Sequence, residues 1–297
     1  MLHSDLRAKP RAEPGIKYLL AGYVFLALQP IAVRLLTEKG WSAASTVFAR
    51  FAFSACAILV ICIVRKKGLQ TKNWRLLFLR GILGGAAVLL YFTSIQYAGA
   101  ARGTLLNYTY PLWANLFSYF LGKKLGSHFW LALGVALMGT FLVVWPDQGW
   151  GDSSVGLGEA AGLASAFLAG GAVLTIKKLR ETDEALTIIA SFTFFGLLMS
   201  LPLADFEFAR SSLHRVDVSL AASAVGLLAF FGHWLFTKGY RGASLQEATL
   251  LSLLVPLLAA FSGIVFLQEE FSFRFALGGF FILSSLAIVF FRAPPGR

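Results

Sequence analysis

Acidic residues are scarce in this chain of 297 residues: 15 Asp and Glu stand against 26 Lys and Arg, and charged residues of both signs reach only 14%. A soluble domain carries about 25%, so an ordinary soluble fold is excluded. The surplus of +11 is not a nucleic-acid stripe, because the basic residues lie in short clusters between apolar segments. Cysteine is nearly missing. Cys56 and Cys62 fall six residues apart on one apolar segment, where they cannot face each other, so neither a disulfide framework nor a cysteine metal site follows. A nucleotide-binding loop, HExxH, CxxC and GxSxG are also lacking, which removes support for an ATP-driven pump, a metalloprotease or a serine hydrolase. The run GLGEAAG, Gly156 to Gly162, resembles a dinucleotide fingerprint but has no strand before it. No metal and no cofactor is expected.

What is present is apolar sequence: 57% hydrophobic residues and a mean hydropathy of +0.71. Runs of about 20 apolar residues, the length that crosses about 30 Å of hydrocarbon, fall at 16–36, 43–64, 75–96, 101–121, 127–145, 157–177, 184–203, 217–237, 244–266 and 272–291. The chain therefore reads as an all-α integral membrane protein with ten transmembrane helices. Residues 1–15 are polar and broken by Pro10 and Pro14, and read as a cytoplasmic tail, as do residues 292–297. With the N-terminus inside, Lys and Arg favour the inner connections by about three to one. That division counts Arg75 and Arg80 on the inner flank of span three. The connection 146–156 has two Asp and no basic residue, and reads as extracytoplasmic.

The stretch Tyr97 to Gly122 returns as Tyr240 to Leu267. The copies agree at Ala98 and Ala243, Leu105 and Leu250, Leu106 and Leu251, Pro111 and Pro256, and Leu112 and Leu257, with Gly134 and Gly279 at the same offset downstream. Phe51 pairs with Phe192, and Tyr91 with Trp234 after a shift of two residues. Duplication gives halves of five spans, 16–145 and 157–291. An odd number of spans makes the second half enter from the opposite side, an inverted repeat with a site between the halves. A proline at matching mid-helix positions frees a backbone carbonyl, which only a protein-lined or wet cavity tolerates at membrane depth.

Few ionisable residues fall inside the spans. Arg50 lies inside span two and is expected to face protein, water or outer headgroups; His233 lies deep in span eight; Glu159 and Glu247 stand at the starts of spans six and nine. No Asp or Glu falls at mid-membrane depth, so strong proton coupling is not expected, and His233 is the one residue placed to carry a proton. Trp113 and Trp234 lie away from span ends, where they either pack in the bundle or line a pathway. Gly170 and Gly171, facing Gln29 and Pro30 in register, serve helix packing or a hinge.

Ten spans in two inverted halves, each with a small-residue turn, an apolar helix carrying Pro111 or Pro256, and then Gly134 or Gly279, resemble the drug/metabolite transporter superfamily in its EamA-type exporter branch. The resemblance implies export of amino acids and related metabolites, aromatic ones among them, and no enzymatic activity. Gly122-Lys123 departs from the Gly-Glu common at the end of span four, while Gln268-Glu269 keeps the acid in the second half. The early Glu of the small four-span multidrug members is missing, and with it their proton antiport.

The expected protein is an inner-membrane transporter of bacterial type, able to work as a monomer in the lipid bilayer, with no nucleic-acid partner. Its cavity is expected between spans one, three, four, six, eight and nine, walled by Gln29, Tyr91, Asn107, Tyr110, Trp113, His233, Trp234 and Ser252. Kinks or gating points are expected at Pro30, Pro111, Gly170, Gly171 and Pro256, with four-helix units rocking to alternate access. The several deep Lys or Arg that a nucleotide-sugar or phosphate substrate would want are missing, which favours a zwitterion or a flat cation over a polyanion. An exporter of aromatic or cationic drugs, and a membrane enzyme or scaffold, stay as alternatives.

Overall fold

The computed structural model describes residues 15–122, 127–144, 156–243, 248, 251–252, 254–267 and 272–291. The helices are α1 (Gly15–Glu38), α2 (Ala43–Arg65), α3 (Trp74–Ala98), α4 (Ala100–Asn107), α5 (Tyr110–Phe120), α6 (Ser127–Val144), α7 (Leu157–Leu179), α8 (Ala185–Ser200), α9 (Phe206–Ser212), α10 (Val216–Gly239), α11 (Leu254–Leu267) and α12 (Phe273–Phe291). A 3₁₀ turn, Leu201–Leu203, extends α8, and no strand occurs among the described residues. Six of these segments are long and apolar enough to cross a membrane: α1, α2, α3, α7, α8 with its turn, and α10. Shorter apolar stretches occupy Trp130–Val143 and Phe273–Ser285. Lys123, Lys124, Trp145, Trp150, Glu247 and the tails lie outside the described residues.

Span four is not one helix. Pro111, at the start of α5, has no N–H to give the carbonyl of Asn107. The chain turns there through tighter bonds instead: the Thr109 N–H donates to the Leu106 carbonyl at 3.1 Å, its hydroxyl to the same carbonyl at 2.8 Å, and the Leu112 N–H to the Thr109 carbonyl at 3.0 Å. The break leaves Asn107, Tyr108 and Tyr110 at the corner of two short helices, all buried. By contrast α1 runs unbroken through Pro30, and α7 through Gly170 and Gly171.

The packing carries a two-fold pattern. When α1, α2, α3, α5 and α6 are matched with α7, α8, α10, α11 and α12, each main contact has a mate: α1 on α10 with α3 on α7, α2 on α10 with α3 on α8, and α5 on α7 with α1 on α11. The pairs α2 with α8 and α6 with α12 map onto themselves. Glycines allow these approaches: a Cβ on Gly139 would stand 2.7 Å from the Gly278 carbonyl, and one on Gly278 the same distance from the Gly139 carbonyl. A Cβ on Gly22 would press on the backbone of α10 at Gly232 and Phe236. Large apolar side chains such as Leu59, Ile63, Phe120 and Phe273 point outward, as a lipid-facing surface requires.

Two buried clusters divide the interior along α1. Leu19, Tyr23, Leu26 and Ala27 join Tyr108, Tyr110, Phe236 and Tyr240 at one end, while Ala32, Val33 and Leu36 join Phe51, Tyr91, Phe92 and Phe192 at the other. Gln29 and Pro30 fall between the two.

Candidate functional site

A cavity lies at that division, with about 90 Å³ open to the centres of water molecules, room for several waters or the polar head of a small ligand. Its walls come from α1, α2, α3, the α4–α5 corner, α7, α8 and α10. The Pro111 break brings Asn107, Tyr108 and Tyr110 to it, and Pro30 leaves the carbonyl of the lining residue Leu26 without its helical donor.

Three polar wall residues, Asn107, Tyr91 and Tyr110, are held by bonds that tie helices together. Asn107 donates through Nδ2 to Ser165 Oγ at 2.6 Å, and Ser165 donates to the Ala87 carbonyl at 2.7 Å, which ties α4, α7 and α3 together. The Tyr91 and Thr104 hydroxyls lie 2.8 Å apart and fasten α3 to α4. At the tyrosine end, Tyr23 lies 3.2 Å from the Tyr110 hydroxyl and donates to the Ala248 carbonyl at 3.0 Å. Ser252 is buried and bonds to Tyr110. Lys177 caps this end, donating to the carbonyls of Tyr240 at 3.1 Å and Ala243 at 2.7 Å. The tyrosines form a plug beneath the cavity on the side of the α1 N-terminus.

The centre of the cavity is made of donors. Arg50 and Arg80 are 1% and 3% exposed, and both line it. The Arg50 guanidinium carbon stands 4.6 Å from the ring centroid of Phe51, 5.2 Å from that of Phe192 and 5.7 Å from that of Phe92. That of Arg80 stands 4.4 Å from the Phe192 ring. Sharing Phe192, the two guanidinium carbons are within about 10 Å of each other. Neither Nε nor Nη1 of either arginine has a hydrogen-bond partner, and the same holds for Gln29 Nε2 and His233 Nδ1. Among the described residues the carboxylates that pair do so elsewhere: Glu159 with Arg102 at 3.1 Å, Glu184 with Lys67 at 2.7 Å, Glu38 with Arg34 at 3.3 Å. Lys67 holds the Glu184 carboxyl, at the start of α8, below its usual range through a hydrogen bond and its charge.

The structure thus gathers Gln29, Tyr91, Asn107, Tyr110 and His233 around one space, and it moves three expected wall residues away. Trp113 packs on Phe117 and Phe167 and against Gly170. Trp234 stacks on Phe230 with centroids 5.9 Å apart, beside the cluster of Ile58, Leu186 and Ile189; one residue from His233 turns it to another face of α10. Ser252 bonds to Tyr110 and is not among the described lining residues. Spans two and seven were not expected in the wall, yet they supply Arg50 and Phe192.

The largest correction concerns charge. Arg50, expected inside span two, does face protein, but a second deep arginine stands beside it: Arg80, which the charge count places on the inner flank. It stands six residues past Trp74, about 9 Å along α3, and it folds back over Gly84, where any Cβ would overlap its Nη1. That glycine one turn on is the sequence signal for a guanidinium lying along its own helix.

Comparison with known proteins agrees with this architecture. The family model of the EamA-like transporter family matches residues 13–145 and again 156–291. The chain belongs to the EamA-like transporter family. It is a multi-span membrane protein of a transporter family, and its relatives are transporters and not enzymes. Among curated proteins, the pseudopaline exporter CntI of Pseudomonas aeruginosa (strain UCBPP-PA14) is 28% identical over 229 residues, 75% of each chain. The uncharacterized transporter YwfM of Bacillus subtilis (strain 168) is 25% identical over 78% of each chain. Mouse solute carrier family 35 member G1 is 24% identical over 62% of this chain and 54% of that one. A crystal structure with 18% identity superposes with a TM-score of 0.64, covering 92% of this chain and 95% of the other, a likeness of fold.

Proposed function

We propose that this EamA-like transporter exports small metabolites of the amino-acid class, each carrying a carboxylate, across a bacterial inner membrane by alternating access at the central cavity. The observation that carries this reading is the set of buried polar atoms without partners, Gln29 Nε2, Nε and Nη1 of both arginines and His233 Nδ1, on residues that line one cavity. Buried donors without acceptors are costly, about 1–3 kcal/mol each and more for charged groups, and a carboxylate supplies acceptors and opposite charge together. The expectation of aromatic or neutral substrates rested on a cavity poor in charge with indole walls. With Trp113 and Trp234 packed elsewhere and two arginines inside, recognition of the acid group takes precedence over an aromatic side chain. The same arginines repel a cationic drug, which disfavours export of aromatic cations.

In this reading both termini are cytoplasmic and one chain of ten spans in two inverted halves is sufficient. The tyrosine plug closes the cytoplasmic end, and opening requires the Tyr23 to Tyr110 contact to part. Transport runs without strong proton coupling, because no carboxylate among the described residues borders the cavity. Counterflow in proteoliposomes tests the proposal: vesicles loaded with unlabelled amino acids should accumulate labelled L-glutamate or L-phenylalanine only when they hold the protein. Equal labelling of empty and protein-bearing vesicles across the twenty amino acids would sink it.

A further inference from the structure

Resting on the cavity as the substrate site, we infer that Arg50 and Arg80 form a two-point anion clamp, and that the transported molecule carries two acidic groups instead of a balanced zwitterion. Taking one guanidinium out of water without a counter-ion costs several kcal/mol, and here two lie close together, each nearly fully buried. The rings of Phe51, Phe92 and Phe192 offset part of that cost at about 0.5–2 kcal/mol per contact, but they hold no negative charge. Nor does any other wall group among the described residues, whose remaining lining consists of apolar side chains, phenols, two amides and one imidazole. The balancing anion must come from the ligand.

Geometry fixes its form. Two guanidiniums within about 10 Å, both against the ring of Phe192, can each take one carboxylate through a pair of parallel N–H bonds. A single carboxylate neutralises one of them and leaves the other unpaired. The aromatic surround keeps water, and therefore screening, low, so the second charge is strongly felt. The feature also breaks the repeat: at the offset relating Phe51 to Phe192, Arg50 corresponds to Ser191. Ser191 spends its hydroxyl on the Leu77 carbonyl at 2.7 Å, a packing bond. The charge of Arg50 thus has no counterpart at the matching position of the second half.

The test is thermal unfolding of the purified full-length protein in low-chloride buffer with succinate, butyrate, L-glutamate, L-glutamine or inorganic phosphate. Succinate and L-glutamate are expected to raise Tm at concentrations at least about tenfold below butyrate and L-glutamine, a difference of about 1.4 kcal/mol or more. Arg50→Gln and Arg80→Gln should each abolish that preference, while Arg50→Lys and Arg80→Lys keep it in weakened form. If the Gln variants fail to fold, the wild-type contrast of succinate with butyrate and the Lys variants still decide the matter. Equal effects of succinate and butyrate, a preference that survives both Gln variants, or protection by phosphate with none by succinate would overturn the clamp. Efflux from proteoliposomes separates this inference from the function it rests on. Neutral amino acids exported equally by wild type and both Gln variants would overturn the clamp and leave export standing. Arginine-dependent binding of succinate with no amino acid moved would do the reverse.

Discussion

Gly84 is the residue on which the position of Arg80 depends. Its missing Cβ is the space in which the guanidinium lies, with the Phe192 ring on the other side. Gly84→Ala should push the guanidinium out of that space, weakening substrate binding about tenfold while lowering stability by about 1–3 kcal/mol; binding titration beside thermal unfolding reads both. Trp234 supplies the contrast. Although it neighbours His233 in sequence, it packs on Phe230 and Phe231 outside the cavity. Trp234→Ala should cost about 3–5 kcal/mol of stability at most and leave KM within about twofold. A large rise in KM would return that residue to the wall.

At the scale of the element, the broken fourth span decides how the site is built. Two short helices meeting at Tyr108 and Thr109 present Asn107, Tyr108 and Tyr110 to the cavity, where one continuous helix would direct them along three faces. Pro111→Ala restores a donor for the Asn107 carbonyl and should straighten the segment; the expected outcome is counterflow slowed about tenfold with unchanged or higher Tm. A kink at Pro111 was legible in the sequence, because proline removes a helical bond wherever it falls in a helix interior; the full break was not, since α1 runs unbroken through Pro30. Which way a side chain faces was less legible. Tyr91 pairs with Trp234 only after a shift of two residues, and each residue of register turns a helical side chain by about 100°; Phe236, at the unshifted offset, lines the cavity with Tyr91, and Trp234 does not. Arg80 was hidden for another reason: counting charge near span ends treats every basic residue there as flanking. A long side chain that folds back over a glycine looks the same as one that reaches into the headgroups.

At the scale of the whole molecule, the contacts exchange in pairs between the two halves, and Phe51 touches its own repeat mate Phe192, with centroids 4.9 Å apart and planes at 86°. A residue that meets its mate lies near the axis of the two-fold packing pattern, so the arginine cavity sits at the boundary of the two sets of helices. The helical membrane class and the transporter family could be read from residue identities alone, because long apolar runs and matched prolines and glycines mark them. The charge distribution could not, since it depends on which half kept an arginine. With no carboxylate at the cavity among the described residues, an imposed gradient of one pH unit should change the efflux rate less than about twofold; a tenfold change abolished by His233→Ala would show proton coupling.

The account stands on the cavity being the place where the substrate binds. Ala172 lines it from α7, so Ala172→Cys, in a chain with Cys56 and Cys62 replaced by serine, puts a reactive thiol there. Saturating transported substrate should slow alkylation of that thiol at least about tenfold. Alkylation at the same rate with and without substrate, in protein that still transports it, would contradict the account.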